Sequence, residues 1–531
     1  MPRFLLFSRS RYRRALCLSC SFAWAAFALP ALTAAQWLSV AGAVELYEPA
    51  DQAPPLGDPT SNQYFGGALA VGNFNGDLYQ DLAIGIPEDT GGPILSRRAK
   101  AGTVAVIYGG PAGLNMANAG YISQPWTGAD PVVQEPGDHF GCALAAGDFD
   151  NDGVDDLAVG VCNETIGVAA EAGVVNIFYG VLFGSMGNPD LTLTEPSPVA
   201  GRHLGLALAA GDINGDGADE LVMAQAAGQF YFLYGSPGGL ATSGTAWNLG
   251  PYMGMALGDF NGDGFADFAV GGPTPGWTAG EAFVWHGSAA GLVEPVASWL
   301  RQDFMVSDAL DGGNEAGDRF GESLLAADLD NDGYEDLVIG APGEDVGPEG
   351  SEFVDAGALY VLRGGVGGLD PGGAHYWTEN GMVSQTLVAD GDGFATSFAA
   401  GDADDDGYLE LAVGSPFKTA SGQPQAGLVI LMPGSSSGPT DLGVARVWQQ
   451  DSPSVPDGSE PNDRFGRALA FGDFDGNGRA DLAIAAPDED DGVGHSDLGA
   501  VTVLRGCLFC DGFEAGGFGV PSPVAWSTLA P

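Results

Sequence analysis

Basic residues are scarce: 18 lysines and arginines stand against 69 acids in 531 residues, a formal net charge of −51. So acidic a surface repels nucleic acid and anionic membranes, which removes both from the expected partners. Histidine and cysteine are rarer still, at 5 and 6. His139, His203, His286, His375 and His495 are scattered, and no HExxH pair exists to hold a catalytic zinc. No GxxxxGK(S/T) phosphate loop occurs either. One GxSxG string, GSSSG at 434–438, lies in a glycine turn after an apolar run; a hydrolase nucleophile elbow needs a strand followed by a helix. Helical periodicity is absent over any long stretch, which excludes a bundle.

What the chain has in quantity is glycine, 86 residues, with 34 prolines and 45% apolar residues. That is enough apolar material for a large core and too much for a disordered acidic chain. It is also repetitive. Residues 320–342 read FGESLLAADLDNDGYEDLVIGAP, two apolar runs of strand length around an acidic nine-residue turn. Acids stand at turn positions 1, 3, 5 and 9, and glycine at position 6 allows the sharp bend. Oxygen donors alternating along a tight loop are what a hard divalent cation such as Ca²⁺ requires.

Seven copies follow, with candidate ligands at the same four positions: Asn73, Asn75, Asp77 and Asp81; Asp148, Asp150, Asp152 and Asp156; Asp212, Asn214, Asp216 and Glu220; Asp259, Asn261, Asp263 and Asp267; Asp328, Asp330, Asp332 and Asp336; Asp402, Asp404, Asp406 and Glu410; Asp473, Asp475, Asn477 and Asp481. The first copy is the weakest, with two asparagines and Leu78 where glycine belongs. An EF-hand would place its last acid at position 12 between helices, and calcium-binding β-rolls repeat at far shorter periods. Acidic turns that hold no ion remain an alternative, above all for the first copy.

The spacing between copies, 47 to 75 residues, accommodates four short strands and their loops. Third strands are visible before glycine turns such as GGPAGL and GSPGGL. Fourth strands carry Trp247, Trp299, Trp377 and Trp448, expected to pack between neighbouring sheets. Seven four-stranded units without helices predict an all-β, seven-bladed β-propeller. The last copy lacks a fourth strand, whereas VELYEP at 44–49 precedes the first copy as fourth strands precede the others. An N-terminal strand is therefore expected to close the ring.

Three segments result: an export signal at 1–35, the repeat domain at 44–506, and a Cys- and Gly-rich tail at 507–531. The first has an arginine-rich front and an apolar run at 15–32. Small-residue cleavage sites follow at 33–35 and, as the later alternative, at 41–43. Cys142 with Cys162, and Cys507 with Cys510, are expected to form disulfides in an oxidising compartment.

By its Phe-Gly, DxDxDGxxD and Gly-Ala-Pro motifs at fixed offsets over 44–506, the chain resembles the FG-GAP repeat family. Those repeats form the propeller of integrin α-subunits and occur in many exported bacterial proteins. The resemblance implies Ca²⁺ in the hairpins between first and second strands, one ion per loop. It also implies ligand binding on the opposite face, built from loops joining strands two to three and four to one. The expectation is thus a monomeric exported binding or adhesion scaffold for an extracellular protein or polysaccharide, secreted, periplasmic or on the cell surface. It has no catalytic residues and no membrane contact once its signal is removed. The alternative is an extracellular lyase or hydrolase with a site built from propeller-face loops. Among the face loops, 88–101 carries the one basic cluster, Arg97, Arg98 and Lys100, a candidate contact for an acidic partner.

Overall fold

Each acidic turn joins two apolar runs, and in the structure those runs pair as the first two strands of a blade. The computed structural model describes residues 38–46, 63–89, 99–125, 133–252, 254–274, 277–293, 298–302, 315–347, 352–379, 388–440, 445–453, 455–456, 458–490 and 498–506. These form seven antiparallel four-stranded sheets, six of them with strands in chain order, a seven-bladed β-propeller. Blade one is Ala68–Gly72, Asp81–Ile86, Thr103–Ile107 and Ala119–Ile122. Blade five, from which the motif was read, is Ser323–Ala327, Asp336–Ala341, Ala358–Leu362 and His375–Thr378.

Blade seven takes three strands from the end of the domain, Leu469–Gly472, Asp481–Ala486 and Ala500–Gly506, and its fourth from the start, Leu38–Leu46. Leu46 pairs with Val501 and Val44 with Val503. The closing strand therefore begins six residues earlier than expected, and Tyr47 to Pro49 of the expected strand lie outside the described residues. A cut after Ala43 would remove six of its nine residues. The signal at 1–35, the tail with Cys507 and Cys510, His495, Arg97 and Arg98 lie outside the described residues. Among the described residues no helix is long and apolar enough to cross a membrane.

Second strands such as DLAIGI and DLVIGA are buried along their whole length. They read as unbroken apolar runs because each is covered on both faces by neighbouring blades. Seven apolar clusters result, each shared by two adjacent blades. The cluster joining blade seven to blade one contains Leu46, Phe65, Ile84, Phe474 and Val501, so closure is sealed by packing as well as by hydrogen bonds. The phenylalanines of the Phe-Gly pairs, Phe65, Phe140, Phe320 and Phe465, and Phe394 of the Phe-Ala pair in blade six, are wholly buried. Truncating such a side chain to alanine costs about 3–5 kcal/mol. The following glycine is required by conformation and by space. Gly141 has φ +88°, and a Cβ there would meet Val104 Cγ2 at 2.9 Å. Blade six accepts Ala395 at φ +68°, a left-handed alanine held in a strained conformation.

Trp377 and Trp448 are buried between blades, and Trp247 packs against Phe232 and Trp285 at 5.0 and 5.7 Å. Trp299 departs from the expectation. It is 50% exposed, stacks flat on Phe283 and donates its indole N–H to Glu281 Oε2 at 3.0 Å. Its strand, Ser298–Leu300, is the outermost of blade four, and the guanidinium carbon of Arg301 lies 5.3 Å from the centre of its ring.

Candidate metal centres

The seven acidic turns are built on one hydrogen-bond scheme. The position-1 side chain accepts from the backbone N–H of position 5, as Asp328 Oδ1 does from Asp332 at 3.0 Å. The position-5 side chain accepts from the N–H of position 7, as Asp332 Oδ1 does from Tyr334 at 3.0 Å. Six turns add a third bond, from the position-6 glycine N–H to the second oxygen of position 1. It measures 2.9 Å at Gly153, Gly217, Gly333 and Gly478, 2.7 Å at Gly264 and 3.0 Å at Gly407. These glycines have φ between +85° and +92°. The first turn has Leu78 there, without that conformation and 89% exposed, and Asn73 turns its amide to the carbonyl of Asp77.

The position-9 acid has a second task. It is buried in every turn. In turns one, two, three, five and six its oxygens accept backbone N–H groups from two directions, whereas Asp267 and Asp481 accept backbone N–H only from Gly287 and Gly506. Asp156 accepts from Phe149 at 2.8 Å and from Gly180 at 2.8 Å. Asp336 accepts from Leu329 and Gly364, and Asp81 from Phe74 and Gly109. It thus ties its own turn to the glycine turn after the third strand. Burial pushes these carboxyls up, to about 8 for Asp156 and Glu410 and about 7 for Asp81, Glu220, Asp336 and Asp481. Three position-3 acids are raised too. Asp404 reaches about 6 through burial and the charges of Asp406 and Asp402, and Asp150 and Asp330 shift the same way.

This arrangement fits a hard cation. In the second, fifth and sixth turns three carboxylates bring oxygens within 4.8 Å of one another: Asp148, Asp150 and Asp156; Asp328, Asp330 and Asp332; Asp402, Asp404 and Glu410. One oxygen each of Asp150 and Asp330 is buried with no hydrogen-bond donor. Crowded carboxylates that raise one another, with orphaned buried oxygens, are the donor set for a divalent ion of the Ca²⁺ kind. The third, fourth and seventh turns offer asparagine oxygen at position 3 or 5 instead of a fourth acid.

Several residues at these turns were not singled out from the sequence. Position-8 side chains link successive turns around the ring: Asp155 accepts from Asn73 N–H at 2.7 Å, Asp219 from Asp148 at 3.0 Å and Glu335 from Asp259 at 2.8 Å. The residue before the glycine turn after the third strand also reaches its own loop. Arg363 pairs with Asp330 at 3.1 Å, Arg505 with Asp475 at 3.8 Å and His286 with Asp267 at 2.8 Å. Their common offset was the available signal.

On the opposite end of the strands, Lys100 pairs with Glu88 at 2.9 Å, so this member of the basic cluster has a neighbouring acid as its counter-ion. Cys142 and Cys162 lie side by side with Cα atoms 6.3 Å apart, within disulfide reach. At the GSSSG string Ser435 Oγ donates to the carbonyl of Gly438 at 2.8 Å. That closes a turn of the kind that Ser236 and Ser288 close elsewhere, and the next element among the described residues is the strand Arg446–Trp448.

A ring of four-stranded blades with an acid-rich hairpin at the inner turn of each is one class of propeller. Residues 65–107, 320–362, 394–432 and 465–504 match the FG-GAP repeat, and 212–270 match the FG-GAP-like repeat. Integrin alpha-PS2 of Drosophila melanogaster is 32% identical over 244 residues, 45% of this chain and 15% of its own length. Integrin alpha-5 of Xenopus laevis is 30% identical over 234 residues, 44% of this chain and 19% of its own. Phosphatidylinositol-glycan-specific phospholipase D of Rattus norvegicus is 33% identical over 161 residues, 30% and 18% respectively. The chain carries FG-GAP repeats and is an integrin α-like FG-GAP β-propeller. Its alignments span less than a fifth of the length of these curated relatives.

Proposed function

We propose that this propeller is an exported scaffold that binds an extracellular protein or polysaccharide, with Ca²⁺ in the hairpin turns holding the blades in register. One observation carries the reading: the turns share a single hydrogen-bonded cage, and in turns two, five and six three of its acids converge within 4.8 Å, with a buried oxygen of Asp150 and of Asp330 that no donor reaches. The ligands are the residues at positions 1, 3, 5 and 9, best furnished in turns two, five and six and poorest in the first. Likeness to integrin α propellers supports adhesion as the general role. Loops 88–101, 343–356 and 488–498, at the strand ends opposite the hairpins, are the surface assigned to the ligand, because a rigid ring presents variable loops at fixed positions. A Cys142–Cys162 bridge suits the same exported setting.

The test is a glycan-array and pull-down screen of the protein in Ca²⁺ and in EDTA. The expected result is a partner retained in Ca²⁺ and released in EDTA, with loss of retention after changes in the face loops. Equal capture in both conditions, by a protein whose melting curve ignores EDTA, would overturn the reading.

A further inference from the structure

The blade junctions at the strand ends opposite the hairpins hold a second set of buried polar groups. Blades two, five, six and seven build it on identical backbone. Three residues beyond each second strand, Glu164, Glu344, Lys418 and Glu489 donate their N–H to the last strand residue at 3.1–3.2 Å. Each carbonyl accepts from the glycine opening the third strand at 2.9–3.0 Å. Two residues before each Phe-Gly or Phe-Ala pair stands an aspartate, Asp138, Asp318, Asp392 or Asp463. The preceding blade contributes a residue just past its fourth strand: Gln124, Gln302, Glu379 or Gln450. All twelve side chains are nine-tenths or more buried.

Blade six shows what the place is for. Lys418 Nζ lies 2.9 Å from Glu379 Oε2 and 2.5 Å from Asp392 Oδ2, a positive charge seated between the two acids. In blades two, five and seven that lysine is a glutamate and the preceding blade's acid is a glutamine. Gln124, Gln302 and Gln450 each donate an amide N–H to the glutamate. A third acid also appears three residues before the aspartate, Glu135, Glu315 or Glu460, where blade six has Ala389. Where the lysine is lost, negative charge is therefore added, the reverse of what an uncompensated burial would tolerate. In blade seven Glu460, Asp463 and Glu489 bring oxygens within 4.8 Å of one another.

The acids alone would not make this a site. The side-chain carbonyl oxygens of Gln124, Gln302 and Gln450, and Glu164 Oε1, are also buried with no donor. A shared proton satisfies one such oxygen; a cation satisfies several at once and takes the place that an ammonium fills in blade six. The set is all oxygen, which selects a hard ion over a transition metal. We infer that the junctions entering blades two, five and seven each bind a hard divalent cation, distinct from those of the hairpins, and that Lys418 is its built-in substitute in blade six.

Copying blade six into blade seven tests this on the full chain. The triple variant Gln450→Glu, Glu460→Ala, Glu489→Lys is equilibrated with Ca²⁺, and bound metal per chain is counted by elemental analysis. The expected result is one ion fewer with an unchanged circular dichroism spectrum. The reverse change in blade six, Glu379→Gln with Ala389→Glu and Lys418→Glu, is expected to add one ion. A folded triple variant that binds as many ions as the parent overturns the inference. Should that variant not fold, the single Glu489→Gln decides by the same count: one ion lost supports the site, none lost overturns it. The hairpin double variant Asp328→Ala, Asp332→Ala reads the other tier, so the two sets are scored separately.

Discussion

The first hairpin turn and the fifth occupy equivalent places in the ring and share most of their hydrogen bonds, yet their chemistry differs. Both bury a position-9 aspartate that accepts two backbone N–H groups. The fifth surrounds a point with Asp328, Asp330 and Asp332. The first replaces two of these acids by Asn73 and Asn75 and loses the glycine bond at Leu78. The turn thus does two separable things: it fixes the hairpin to the third strand, and it gathers charge. The first has kept only the former.

Removing metal gives the largest expected effect. A site saturated at 100 times its Kd contributes about 2.7 kcal/mol, and several such sites act together. EDTA is expected to lower the melting temperature strongly, and Ca²⁺ to restore it better than Mg²⁺, which keeps its waters and an octahedral shell. Next come the anchoring acids. Asp81→Asn and Asp336→Asn each leave an N–H facing an amide that can accept with only one oxygen, a loss of about 1–3 kcal/mol by chemical denaturation. The loss is expected to be equal in the two blades when both are measured in EDTA; a large inequality there would show that anchoring and metal binding are not separable.

Smaller and opposite effects are expected at position 1. Asp328→Ala is expected to cost one bound ion and about 2 kcal/mol in Ca²⁺, whereas Asn73→Ala leaves the ion count unchanged. The converse variant, Asn73→Asp with Asn75→Asp and Leu78→Gly, is expected to add one ion per chain by elemental analysis. Arg363→Gln has the smallest effect. A partly exposed pair with Asp330 is worth up to about 1 kcal/mol, so its removal is expected to tighten Ca²⁺ at the fifth turn by roughly five-fold or less in calorimetry.

Much of this was written in the sequence because the turns are local. Nine consecutive residues specify a hairpin, its bend and its donor set, and seven copies at a similar spacing specify the ring. The closing strand was legible from a missing fourth strand, although its start at Leu38 was hidden by an apolar stretch that also reads as a cleavage region. Trp299 was misplaced because a tryptophan on a fourth strand does not say whether a neighbour covers it. The junction groups were invisible for a different reason. Gln450, Asp463 and Glu489 come from three segments of two blades, and no short motif joins them. Lys418 looked like one basic residue among few until Glu379 and Asp392 were found beside it.

The pairing of Leu46 with Val501 has a consequence for how the chain is made. The strand that completes the last blade is synthesised first, and its partner follows 455 residues later. At ordinary elongation rates of about 5–20 residues per second the first strand waits roughly 20–90 s for it. Until then six blades can pack in sequence, but the ring stays open with one sheet edge bare. A chain interrupted anywhere before the third strand of blade seven cannot lock, which makes the pairing a built-in check that translation has passed the last blade.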